Sequence, residues 1–281
     1  MTTVSGSAVI QSTKFRNLVS RMAAIGGWAA VSWLLWSSNF YFSNLAHIRE
    51  RRVSMALGAA CLIGVIGFGF WRINYFNHDI GHRVSRLAVV QTNTSWVEMG
   101  LAGISPLYFH DHIRNVAKMT RVAATLKPAA IWMQNGAIER QRYKTFTVPF
   151  IEATGTENRN VNVYFGIDRD IDIAALICFE ILFSKPSRDL ALEGADILIC
   201  HANTSYFGQS NWPILHGAYT SLRAVESGRS IVLVNDTGYS LGADALGRIF
   251  WCSGSGKSGV YLVPTPAEKI DPPNLRNSNL I

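Results

Sequence analysis

Residues 174–180 read Ala-Ala-Leu-Ile-Cys-Phe-Glu: an apolar run that ends in a thiol, Cys178, with a carboxylate, Glu180, two residues on. A short run with no polar position predicts a strand covered on both faces, as in a parallel sheet between layers. Similar runs lie on either side. Strands are predicted at Leu87–Gln91, Ala129–Met133, Val161–Phe165, Ile173–Cys178, Ile197–Cys200, Ile231–Asn235 and Val260–Val263. Between them, Tyr108–Leu126 places Ile113, Val116, Ala117, Val122 and Ala123 near one helical face. Pro186–Gly194 and Pro213–Gly228 read as two more helices, each opened by Pro and closed by Gly. Strands alternating with helices make the domain from Arg86 onward a layered α/β fold.

Upstream the chain is different. Only 16% of its 281 residues are charged, against about 25% in an ordinary soluble domain, and the deficit is concentrated. No Asp, Glu, Lys or Arg occurs from Met22 to Ile48 or from Val53 to Trp71; Arg49-Glu50-Arg51-Arg52 separates the two runs. Each has the roughly 20 residues needed to cross a bilayer core, and Trp28, Trp33, Trp36, Tyr41, Phe42, Trp71, Tyr75 and Phe76 suit its interfaces. Residues 22–72 are therefore expected to form a two-helix transmembrane hairpin, behind a disordered tail over 1–21. Both flanks are basic, so the positive-inside rule does not orient the hairpin by itself. The net charge of +7 fits anionic headgroups at the membrane flanks better than nucleic acid, which is not expected as a partner.

Three motif matches fail on inspection. Gly238-Tyr239-Ser240-Leu241-Gly242 has the form of a nucleophile elbow, but that fold needs a histidine after the serine, and the last histidine here is His216. It reads as a glycine turn. Gly256-Lys257-Ser258 lacks the first glycine of a phosphate-binding loop, since Trp251 stands there. Cysteines 61, 178, 200 and 252 show no C-x-x-C spacing, so no structural zinc is expected, and no cofactor motif is found.

What remains is an ordered series. After Cys178 come Gly194-Ala195-Asp196, Asn203-Thr204-Ser205-Tyr206-Phe207-Gly208, His216, Leu222 to Arg229, and Asn235-Asp236-Thr237-Gly238-Tyr239-Ser240. The series resembles the carbon–nitrogen hydrolase (nitrilase) superfamily, and most closely its membrane branch, the apolipoprotein N-acyltransferases. The resemblance implies an αββα sandwich over 86–281 and a Glu–Lys–Cys triad. Its cysteine falls on Cys178 and its lysine on Lys144, eight residues before Glu152, the second acidic residue that supports it. An ammonium beside Cys178 favours the thiolate and stabilises an oxyanion on the attacked carbonyl. Lys144 reads either as this cation or as a solvated surface charge, and Glu180 either as part of this machinery or as a structural hydrogen-bond acceptor.

The chain also departs from the pattern. Gln134, in Ile131-Trp132-Met133-Gln134-Asn135-Gly136, occupies the position of the general-base Glu and has no titratable group. Glu139 substitutes only if the turn is rearranged. Ten positions separate Gln134 from Lys144, where the family places a helix and strand, so a central piece of the sandwich is expected to be missing. The membrane branch also carries more helices before the domain and one after it, whereas this chain ends in the polar Asp271–Ile281. The function implied is transfer of an acyl chain, through a thioester on Cys178, from a phospholipid donor to the N-terminus of a lipoprotein acceptor. The place implied is the periplasmic face of a bacterial inner membrane, with multi-pass anchoring among its lipids. Two alternatives stand beside it: a conjugal-transfer-type relative acting on another amide or ester, and a catalytically impaired membrane protein with a binding or structural role.

Overall fold

The computed structural model describes residues 23–43, 52–77, 80–93, 114, 118–119, 146, 164–168, 171–207 and 210–276. Two long helices come first, α1 (Ala23–Ser43) and α2 (Arg52–Phe76). The domain follows with β1 (Val84–Gln91), β2 (Tyr164–Asp168), β3 (Ile171–Ile177), a 3-10 turn over Cys178–Leu182 and α3 (Ser184–Leu192). Then come β4 (Ile197–Ala202), a 3-10 turn over Ser205–Phe207, α4 (Trp212–Ser227) and β5 (Ser230–Asn235). The strands β6 (Leu241–Ala243), β7 (Ile249–Cys252) and β8 (Gly259–Pro266) and the short α5 (Pro273–Arg276) complete the described chain.

Six strands form one sheet in the order β2-β3-β4-β5-β6-β7, and β1 pairs antiparallel with β8 in a second. Within the larger sheet β3, β4 and β5 are parallel, with Ile173 opposite Ile197 and Leu198 opposite Ile231. Side chains alternate between its faces. On one face Ala174, Leu176, Leu198, Cys200, Ile231 and Leu233 pack with Ile181, Leu190 and Ala224 under the helices. On the other, Ile171, Ile173, Ile197 and Val232 pack with Leu87, Val89 and Val263 of the second sheet. The described layers are therefore helix, sheet and sheet, and the apolar runs are apolar because both faces of the strands are covered.

Of the predicted strands, Ala129–Met133 lies outside the described residues, as does most of the predicted helix Tyr108–Leu126 and the expected tail over 1–21. The two short strands β6 and β7 were not anticipated: the first lies inside the glycine turn and the second in Ile249-Phe250-Trp251-Cys252. Asp244 makes the turn between them. Its carboxylate accepts the backbone N–H groups of Leu246 and Arg248, both at 2.9 Å, and pairs with the Arg248 guanidinium at 2.6 Å.

Both expected N-terminal helices form, but they differ in character. Among the described residues only Ala56–Phe76 is long and apolar enough to cross a membrane. Within α1, Ser32, Ser37, Ser38, Asn39 and three tryptophans dilute the aliphatic content. Both helices are docked on the domain. Ala23 and Ala24 of α1 are buried against Val225 and Leu222 of α4. At and just past the end of α2, Phe76 and Ile80 pack on Ala245, Leu246 and Ile270, and Arg248 donates to the Asn77 side chain at 2.6 Å. Glu268 then accepts the backbone N–H groups of Gly81 and Arg83, so α2 enters β1 through a fixed corner. By register these docking points lie at the amino ends of β4 and β5, and Cys178 lies at the carboxyl end of the sheet.

Candidate active site

In open α/β sheets ligands bind beyond the carboxyl ends of the parallel strands, and here those ends carry Cys178, His201 and Asn235. Cys178 leaves β3 with φ 49, a left-handed conformation that only one other non-glycine described residue, Asn93, shares. For a side chain with a Cβ this geometry costs on the order of 1–2 kcal/mol and persists only where surrounding contacts impose it. Glu180 supplies one such contact. It is fully buried, and its carboxylate accepts the Ile177 N–H at 2.8 Å, while its carbonyl accepts the Phe183 N–H at 3.1 Å. Cys200, buried on the next strand, directs its Sγ to the Cys178 carbonyl at 3.7 Å. Behind the turn, the buried Arg223 of α4 donates to Ser184 and to Glu226, tying the start of α3 to α4. Burial lowers the Arg223 pKa and Glu226 opposes that shift.

A second buried network fixes the loop after β5. The Ser240 hydroxyl accepts the Asn235 N–H at 2.9 Å and donates toward the Gln91 side chain at 2.9 Å; Ser253 meets the same Gln91 oxygen at 2.8 Å. Gln91 Nε2 in turn donates to the Gly238 carbonyl at 3.0 Å. Ser240 is thus committed to holding the turn, in agreement with its reading as a structural residue. At the rim Asp236 accepts from the Thr92 backbone at 3.1 Å and from the Thr92 hydroxyl, which joins the end of β1 to the end of β5. Asn235 and Thr204, both buried, are hydrogen-bonded side chain to side chain at 3.0 Å.

Of the five residues singled out in sequence, the structure brings Cys178 and Glu180 together. Gln134, Lys144 and Glu152 lie outside the described residues, and so does Glu139. One neighbour of that segment is described: Phe146 stacks on Phe183, with ring centroids 4.5 Å apart, five residues after Cys178. Among the described residues no group of three His, Cys, Asp or Glu side chains is arranged to hold a metal.

Sequence reasoning passed over His201. It pairs in register with Ile177, the residue before Cys178, and with Val234 of β5. It shares the sandwich face of β4 with Ile197 and Ile199. Its ring reaches solvent, yet enough protein surrounds it for desolvation to lower its pKa. The available signal was the alternation itself, which puts an imidazole in the last row of an apolar face.

The three parallel strands β3, β4 and β5 thus carry a left-handed cysteine, Cys178, at their carboxyl edge. The carbon–nitrogen hydrolase family profile matches residues 92–270, more than half the chain, and the chain belongs to that family. It is similar to the apolipoprotein N-acyltransferase of Shewanella oneidensis, 33% identical over 94 residues that cover 34% of this chain and 18% of that protein. The apolipoprotein N-acyltransferase of Gloeobacter violaceus is 34% identical over 92 residues, 33% of this chain and 18% of that protein. The chain therefore spans less than a fifth of the length of these curated relatives. Among solved structures, the carbon–nitrogen hydrolase of Helicobacter pylori G27 gives a TM-score of 0.31 at 16% identity, over 34% of this chain and 40% of that one.

Proposed function

We propose that the chain is a membrane-anchored acyltransferase in which Cys178 takes a fatty acyl group from a phospholipid as a thioester and passes it to the N-terminal amine of a lipoprotein. The observation that carries this reading is Cys178 itself, held at φ 49 where β3 ends, in a chain of the carbon–nitrogen hydrolase family. Acyl-enzyme formation followed by aminolysis is ping-pong chemistry. Lys144 is the cation for the thiolate and oxyanion, and Glu152 supports it. Phe146, two residues after Lys144 in sequence, stacks on Phe183 beside the turn that follows Cys178, which supports this assignment. Glu180 acts by fixing the backbone around the nucleophile.

Membrane anchoring by both N-terminal helices rests on their surfaces. Trp33, Trp36 and Phe40 of α1 and Val53, Leu57, Ile63, Phe70 and Trp71 of α2 are exposed, and clustered large apolar side chains left open in this way mark a membrane or partner surface. Only 17% of the apolar stretch of α2 is buried inside the protein, which sets it apart from the core helix of a soluble fold. A bacterial inner membrane with a cytoplasmic Arg49-Glu50-Arg51-Arg52 turn and a periplasmic domain fits the three arginines of that turn. Carbonate extraction of membranes tests the anchoring: the chain stays in the pellet, and its release to the supernatant overturns the two-helix reading.

A second reading, a catalytically impaired protein with a binding role, is favoured by one specific residue. Gln134 cannot take a proton. Acyl labelling in membranes separates the two. Hydroxylamine-sensitive label on the wild type and none on Cys178→Ser supports acyl transfer. No label on the wild type, with label appearing in Gln134→Glu, supports the impaired reading and identifies the loss.

A further inference from the structure

A helix on the outside of a soluble domain carries charge on its outer face, and α4 does not. Of its 16 residues only Arg223 and Glu226 are charged, and their side chains are buried, 1% and 2% exposed. We propose that the outer face of α4 near its start, formed by Ile214 and Leu215, rests on the lipid bilayer and brings the edge of the domain that carries Cys178 to the membrane surface. The inference rests on the reading of the chain as membrane-anchored and adds the surface by which the domain itself meets lipid.

The face follows from helical spacing. Ile214, Ala218, Leu222 and Val225 recur at intervals of three and four and share one side of α4, with Leu215 at its margin. Toward the end of the helix that side is occupied: Val225 is fully buried and Leu222 packs with it against Ala23 and Ala24 of α1. Toward the start it is open, with Ile214 and Leu215 44% and 45% exposed. The helix is about 24 Å long, so one continuous apolar side passes from a covered half to an uncovered one.

The uncovered half lies at the edge of the site. α4 begins beyond the carboxyl end of β4 and returns the chain to the amino end of β5. Ile214 and Leu215 are therefore at the end of the sheet that carries Cys178, and the 3-10 turn that starts at Cys178 packs against the same helix. Trp212 opens α4, half-buried against Phe207 with ring centroids 4.5 Å apart. Aromatic rings of this kind suit the headgroup level of a membrane.

Lipid is favoured over a protein partner by what covers the other half. α1 starts on α4 at Ala23, and α2 ends on the domain at Phe76. These are the two ends of the hairpin farthest along the chain from the Arg49-Glu50-Arg51-Arg52 turn. A hairpin that carries this turn across the membrane therefore holds α4 at the near surface of the bilayer. α1, seated on the same side of α4, leaves Trp33, Trp36 and Phe40 exposed, so the open half of α4 continues a surface that is already apolar. Laying this half on lipid buries Ile214 and Leu215 and desolvates no charge.

The test uses the full chain reconstituted in vesicles of phosphatidylethanolamine and phosphatidylglycerol, with the photoreactive p-benzoylphenylalanine in place of Leu215 or, in a second variant, of Ile214. Both side chains are exposed, so the replacement leaves the core intact. Mass spectrometry after irradiation identifies what each position touches. Leu262, exposed on β8 and replaced in the same way, is the reference. Lipid adducts at 214 and 215 are expected at least about tenfold above those at 262. Yields no higher than the reference overturn the proposal, and so does a second copy of the chain or another protein as the main adduct. Photocrosslinking needs no acyl transfer, so these adducts on a chain without thioester label refute the acyltransferase reading alone. Adducts on a chain that carbonate releases refute the two-helix anchoring alone, and their absence from a chain held in the pellet refutes the lipid contact alone.

Discussion

The Glu180 carboxylate accepts the Ile177 N–H at 2.8 Å from a fully buried position, bridging the residue on one side of Cys178 to the turn on the other. The bond closes the backbone around Cys178 and accounts for how a left-handed cysteine is maintained. Replacing Glu180 by Ala removes the acceptor of a buried N–H, at a cost of about 1–3 kcal/mol. Glu180→Ala should lower Tm by several degrees and reduce Cys178 labelling together. Glu180→Gln, which keeps an acceptor oxygen and the shape, should retain most of both; equal loss in the two variants would assign Glu180 a role for its charge.

Arg223 and Glu226 form an ion pair within α4 with side chains only 1% and 2% exposed, and Arg223 also donates to Ser184. Removing one member leaves a buried charge uncompensated, worth about 3–5 kcal/mol. Arg223→Ala is therefore expected to unfold at markedly lower denaturant concentration. Arg223→Lys is expected to fall between, because an ammonium does not reproduce the guanidinium fork that serves two acceptors.

Gly228 closes α4 at φ 62, and a Cβ there would stand 1.6 Å from the Ile270 carbonyl oxygen. Gly228→Ala combines a left-handed penalty with backbone overlap. Its expected cost exceeds about 2 kcal/mol, read as a loss of folded protein or of Tm. A neutral outcome would mean that the segment through Ile270 moves freely away from α4.

Burial raises the Cys252 thiol pKa. A folded pKa above the unfolded one gives a stability contribution that is intact below the unfolded value and is lost as pH rises through the folded value. Cys252 is thus expected to alkylate more slowly in the folded chain than in the denatured chain at pH 8. The difference should shrink as pH rises further, and Cys252→Ala should flatten part of the decline in stability on the alkaline side. Equal rates at pH 8 would contradict the shift.

Much of this domain was legible because covered parallel strands advertise themselves. Leu87–Gln91, Ile197–Cys200 and Ile231–Asn235 each fall within an observed strand, and Pro213–Gly228 reproduces α4 with its αL glycine. Strands β6 and β7 were hidden for a local reason: Leu241-Gly242-Ala243 is too short for a periodic signal, and its pairing with β5 is decided across the sheet. For α1, the run of residues without charge was visible. What it could not convey is where that helix docks, with Ala23 and Ala24 buried against Val225 and Leu222 of α4.

The sequence by itself determined the α/β class, the family through its ordered motifs, and Cys178 as the residue at a strand end. Those properties are local or one-dimensional: period, order, residue type. Only the tertiary structure decided that Cys178 adopts φ 49, that Glu180 holds the Ile177 N–H, and that His201 lies in register with Ile177. Positions 177 and 201 are brought side by side by the crossover through α3, and no local pattern of residues encodes which strand will be the neighbour.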